Sequence, residues 1–139
     1  MIAFDRQGMD NRKIQGLIED LGTIIEGHLG YWQFEYEGRK LYTVSDENHN
    51  RMRIMASIVE SEGLSEDTLF KMLNANFDRA LDAKYAISNG VAWGLFTHPL
   101  KELTAPQFVD AVEQVWKLAE NFGTSYSSSN LFFGGDMFS

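Results

Sequence analysis

Apolar residues recur at steps of three and four in three stretches of the chain, the period of an amphipathic helix, and alternate with polar residues in others, the period of a strand. Asp10 is placed as N-cap of the first helical stretch, in which Ile14, Leu17, Ile18, Leu21, Ile24 and Ile25 form one stripe that Gly27 or Gly30 ends. Gly16 and Gly22 lower helix propensity inside that stretch and are positions for close approach to another element. From Tyr31 the period becomes two. Trp32, Phe34 and Tyr36 alternate with Gln33, Glu35 and Glu37, which predicts a half-buried antiparallel strand with its aromatic face inward. Gly38 turns the chain into a second strand carrying Leu41, Tyr42, Thr43 and Val44. A polar turn follows at Asp46–Asn50, and then a third strand at Arg51–Val59 with Met52, Ile54, Ala56 and Ile58 on one face.

The fold is organised around Leu64–Ala83, a helix that interrupts the strands. Ser65 is its N-cap, and Glu66 and Asp67 occupy the first turn, where the helix dipole favours negative charge. At 100° per residue, Leu69, Phe70, Met72, Leu73, Phe77, Ala80, Leu81 and Ala83 sweep about half the circumference, wider than the ~100° needed to dock on one sheet. The excess predicts a second partner for this helix. Asn76 lies inside the arc. Either its amide is satisfied locally in the core, or it fixes register at a seam between two partners.

Beyond the helix, Asn89-Gly90 between KYAIS and VAWGLFT predicts a β-hairpin with a primed turn, and Gly94 is placed as a bulge. Thr104 and Gln107 form a capping box for a third helix, with the stripe Phe108, Val112, Val115, Trp116, Ala119 and Phe122 and a stop at Gly123. The expected architecture is α+β: one domain over residues 1–123, a five-stranded antiparallel sheet with three helices in the order α-β-β-β-α-β-β-α. Residues 124–139 begin as a Ser-rich tail and end in the apolar clusters Leu131-Phe132-Phe133 and Met137-Phe138. Such a tail docks on its own domain, inserts into a neighbouring copy, or stays mobile.

Composition narrows the chemistry. A net charge of −8 opposes binding to nucleic-acid phosphates and anionic membranes. The chain has no cysteine, which fits a reducing cytoplasm, and no apolar run approaches ~20 residues. Asp46–Asn50 has the start of a calcium-loop spacing, but Arg51 stands where the glycine is needed and Ser57 where the bidentate glutamate is needed. His28, His49 and His98 are too far apart in sequence to form a metal motif. Arg51 and Arg53 are expected to meet Glu35 or Glu37 across the sheet as exposed ion pairs. With no nucleophile–base pair and no phosphate loop, neither a cofactor nor an enzymatic activity is expected.

The element order and the stretches RMRIMASIVE, LFKMLNANFDRALDAKYAISNGVAWGLF and HPLKELTAPQFVDAVEQVWKLAENFG resemble the YbjN-like family and the related type III secretion (Tir-type) chaperone fold, over about Asp10–Gly123. The resemblance implies a non-enzymatic homodimer of the cytoplasm that binds an extended segment of a protein partner. It places Phe70, Leu73, Asn76 and Phe77 near a dimer axis. The alternative is a regulatory domain holding a small apolar ligand near Trp32, Trp93 and Trp116.

Overall fold

The computed structural model describes residues 8–129. It contains α1 (Asn11–Leu21), β1 (Thr23–His28), β2 (Tyr31–Tyr36), β3 (Arg39–Asp46), β4 (Arg51–Glu60), α2 (Glu66–Asp78), β5 (Lys84–Ser88), β6 (Val91–His98) and α3 (Ala105–Glu120). The antiparallel sheet has six strands in the order β1-β2-β3-β4-β6-β5, one more than the sequence pattern predicts. The additional strand is β1. Ile24 and Ile25 continue the apolar stripe of α1, but the helix ends at Leu21 and both residues lie in β1, which pairs with β2. Gly22 makes the corner. A Cβ there would stand 2.1 Å from the Glu35 carbonyl oxygen, so only glycine lets the chain leave α1 this close to β2.

The residues group into two compact units. The first comprises 8–54 and Thr97–Val112. Asp10 caps α1 by accepting from the Lys13 amide at 2.9 Å. Ile14 and Ile18 on α1 are fully buried, as are Trp32 and Phe34 of β2 and Leu41 of β3, and Gln15 accepts the indole N–H of Trp32 at 3.2 Å. These contacts put α1 on the Trp32 face of the sheet. Asn50, with φ +55°, closes the β3–β4 turn and organises the loop before α3: its Oδ1 accepts from Lys101 N at 2.7 Å and its Nδ2 donates to Glu102 at 2.9 Å. Asp46 in the same turn accepts from the amides of Asn48 and His49, so this stretch is a self-bonded turn. β3 lies between β2 and β4, which separates Arg51 and Arg53 from Glu35 by a whole strand and removes the expected cross-strand pairing.

The second unit comprises Met55–Phe96 and 113–129. Asn89 (φ +52°) and Gly90 (φ +76°) form the hairpin turn between β5 and β6. The β5–β6 register runs through Gly94 without a shift, so Gly94 makes no bulge in that pairing. A Cβ there would stand 3.3 Å from the Val115 carbonyl, and the missing side chain lets α3 lie close on β6. Residues 124–129, which the sequence assigns to a Ser-rich tail, pack here. Tyr126 is buried beside Tyr85 and Phe122, and Ser128 N donates to the Arg79 carbonyl at 3.1 Å. The clusters Leu131-Phe132-Phe133 and Met137-Phe138 lie outside the described residues.

Candidate protein-binding surface

Helix α2 is five residues shorter at its C-terminus than its apolar period, ending at Asp78 and leaving Ala80, Leu81 and Ala83 in the turn to β5. Ser65 caps its start by accepting from Thr68 N at 3.1 Å, as expected. What fixes its rotation is a two-point clamp on β5. Asn76 Oδ1 accepts from the Tyr85 amide at 2.8 Å, and Asn76 Nδ2 donates to the Tyr85 carbonyl at 3.1 Å. Lys84 Nζ donates to the carbonyls of Asn76 and Leu81 at 2.8 Å each, placing a cation where the helix dipole is negative. Both polar atoms of the Asn76 side chain are thereby used within the chain.

The clamp divides the apolar arc in two. Met72 and Ala75 turn inward and are buried. Phe70, Leu73 and Phe77 turn outward and are 64%, 65% and 70% exposed. Their spacing of three and four places them in one row about 10 Å long. With ~150–250 Å² for a whole aromatic side chain, the row exposes roughly 300–400 Å² of apolar surface. That is the size of the largest patch on an ordinary monomer, a size often associated with function. Lys71 and Asp67 border it as an exposed pair at 3.0 Å, and the hydrogen bond that Lys71 donates to the Asp67 carboxylate holds its ammonium above the usual pKa.

The base under the clamp is itself hydrogen-bonded to α3. The Tyr85 hydroxyl donates to the Leu118 carbonyl at 2.6 Å, and burial, with a smaller contribution from Tyr126, pushes the phenol well above its usual pKa, so it remains a donor at any physiological pH. Gln114 on α3 accepts from the amides of both Asp82 and Ala83 at 3.0 Å. Sequence periodicity placed Gln114 on no functional face; its signal is burial, at 3% exposure for a long polar side chain.

Away from α2, the strand faces opposite the helices carry half-buried residues: Tyr31, Tyr42 and Val44 in the first unit, and Val91, Trp93 and Leu95 in the second. Trp93 donates its indole N–H to the Ser88 carbonyl at 3.2 Å. The three tryptophans have different surroundings. Trp32 is fully buried in the first unit, whereas Trp93 and Trp116 are half-buried in the second. Both sheet edges are blunted. At β5 the Tyr85 backbone groups are taken by Asn76, and at β1 the register shifts between Ile24 and Glu26, so that Ile25 is an extra residue 55% exposed. Among the described residues no group of three His, Asp or Glu side chains converges as a metal set, and no helix is long and apolar enough to cross a membrane.

No protein-family model matches the chain, and no curated protein matches it in sequence. Solved structures do match. A chain of the HopA1–SchA chaperone–effector complex superposes with a TM-score of 0.59 at 11% identity, covering 81% of this chain and 94% of that one. A chain from the structure of the Yersinia pestis type III secretion chaperone SycH in complex with a stable fragment of YscM2 gives 0.60 at 11% identity, covering 81% and 98%. At this identity the likeness establishes the fold alone: the chain has the α+β architecture of type III secretion chaperone structures, with three helices on an antiparallel sheet.

Proposed function

We propose that the protein is a non-enzymatic, dimeric chaperone-like or adaptor protein of the cytoplasm that holds an extended segment of a protein partner. The observation that carries this reading is the exposed row Phe70, Leu73 and Phe77, on a helix immobilised from behind, in a fold shared with chaperones solved in complex with an effector and with a YscM2 fragment. Two copies meet through this row, with Asn76 holding each helix in place behind it. Burying three such side chains stabilises association by about 1.5–3 kcal/mol each before the entropic cost of docking. The partner segment lies over the strand face opposite the helices in the second unit, where Trp93 and Leu95 offer half-buried apolar contacts with polar neighbours. Strand addition at an edge is the weaker mode, because of the bulge at Ile25 and the occupied backbone of Tyr85.

Light scattering at micromolar concentration tests the dimer. The chain is expected at twice its own mass and Phe77→Asp, still folded by circular dichroism, at its own mass. A monomeric parent chain refutes the dimer.

A further inference from the structure

Two features of α1 weaken the helix, and nothing packed against it among the described residues accounts for either. Gly16 sits mid-helix, where glycine is less favourable than alanine, yet a Cβ there would meet nothing within 4 Å, so no neighbouring element requires its absence. Glu19 and Asp20 occupy the last turn, where the helix dipole is negative and no basic residue offsets them. Both are exposed, and neither has an ion-pair or hydrogen-bond partner among the described residues.

All three residues line one cleft of about 550 Å³, wholly within the first unit, between α1 and the loop that enters α3. Buried Met9 and Leu103 and half-buried Leu17 give it apolar walls. Its volume falls within the range of small-molecule sites, about 300–1,000 Å³. Besides the two carboxylates its lining carries one charge, Lys13, whose ammonium donates to the Gly8 carbonyl at 2.7 Å and is held by the chain itself. The N-terminus of α3, at Thr104 and Ala105, would attract an anion, but its capping box is closed. Thr104 N donates to Gln107 Oε1 at 2.8 Å, Gln107 N donates to Thr104 Oγ1 at 3.2 Å, and Pro106 has no N–H. The cleft therefore carries an excess of negative charge, in a chain whose net charge is −8.

We propose that this cleft binds a small amphipathic amine, its apolar body against Met9, Leu17 and Leu103 over the bare backbone of Gly16, and its ammonium at Glu19 and Asp20. Such a ligand accounts for both features of α1. Glycine omits the side chain that would fill the cleft, and the ammonium supplies the cation that the last turn lacks. The site uses neither the row on α2 nor the strand face of the second unit, so its test is independent of the chaperone-like reading.

Octylamine, protonated at neutral pH, is the probe, and octanoate is its counterpart of equal length and opposite charge. Titrated below its micellar range into the isotope-labelled full chain, octylamine is expected to shift the amide signals of Gly16, Leu17 and Leu103 saturably at about millimolar concentration. Octanoate is expected to bind about tenfold more weakly, because reversing one unit charge near a protein surface has an effect of that order. Gly16→Leu fills the cleft with a better helix former and is expected to abolish the shifts at Leu17 and Leu103 while raising the melting temperature. Glu19→Gln combined with Asp20→Asn is expected to weaken octylamine binding about tenfold and to remove the preference for amine over carboxylate, and it decides the matter should Gly16→Leu fold poorly. No saturable shift, equal binding of the two probes by the parent chain, shifts confined to Phe70, Leu73 and Phe77, or undiminished binding by Gly16→Leu would each overturn the proposal.

Discussion

Replacing Asn76 by alanine removes both hydrogen bonds that clamp α2 to β5. The Tyr85 amide and carbonyl, on a residue only 4% exposed, lose their partners. Each bond contributes about 1 kcal/mol net, and stranding a buried backbone group adds a cost of about 1–3 kcal/mol where water does not reach it. Because Asn76 is half-buried, water reaches part of the vacated space, and a total loss of about 2–4 kcal/mol is expected. For a chain of this length that corresponds to a melting temperature lower by roughly 6–15 °C. Urea unfolding followed by tryptophan fluorescence measures it as a lower midpoint at unchanged slope. Repeating the titration at two protein concentrations makes the test specific. A clamp within one chain gives the same loss at both, whereas a residue at a seam between copies gives a loss that changes with dilution. A loss below about 0.5 kcal/mol, or one that depends on concentration, refutes the clamp as the device that orients α2.

Two glycine substitutions are expected to act with opposite signs. Gly22→Ala drives a Cβ into the Glu35 carbonyl and should destabilise by about 3 kcal/mol or shift β1 off β2, whereas Gly16→Ala, with nothing within 4 Å, should stabilise α1 by about 0.5–1 kcal/mol; thermal melts of both against the parent decide the matter. Thr43 is fully buried and its hydroxyl has no hydrogen-bond partner among the described residues, so Thr43→Val should raise stability by about 1 kcal/mol, and a lower urea midpoint would contradict this. Hydrogen bonds from His49, the side chain first and the backbone second, hold the Asp46 carboxyl below the usual carboxylate range. Its folded pKa is depressed, so its contribution to stability is complete above the unfolded Asp pKa and is lost as pH falls through the folded one. Carbon-detected titration should give a midpoint below that of an ordinary Asp, and His49→Ala should raise it.

Where structure depends on neighbours along the chain, it was legible in the residues. Asp10, Ser65 and Thr104 cap helices because a side-chain oxygen needs only the amides of the next turn. Asn89-Gly90 makes its hairpin because both residues accept positive φ. β1 escaped notice for a physical reason. As a bulged edge strand exposed at nearly every position it has no alternation, while Ile24 and Ile25 fall in step with the stripe of α1. The contrary cue was Gly22, whose need for glycine comes from Glu35, thirteen residues on. The end of α2 failed similarly, since Ala80, Leu81 and Ala83 keep the helical period after the backbone has left the helix.

The sequence by itself determined the α+β class, the three helices with their caps, the β5–β6 hairpin and the surplus width of the apolar arc on α2. Only the tertiary structure decided which part of that arc meets the protein and which meets its surroundings. A helical wheel counts apolar positions without knowing what stands opposite them. The rotation of α2 is set instead by Asn76 and Lys84, through bonds to β5 and to the turn before it that form only when the hairpin is in place. Those bonds bury Met72 and Ala75 and leave Phe70, Leu73 and Phe77 outside.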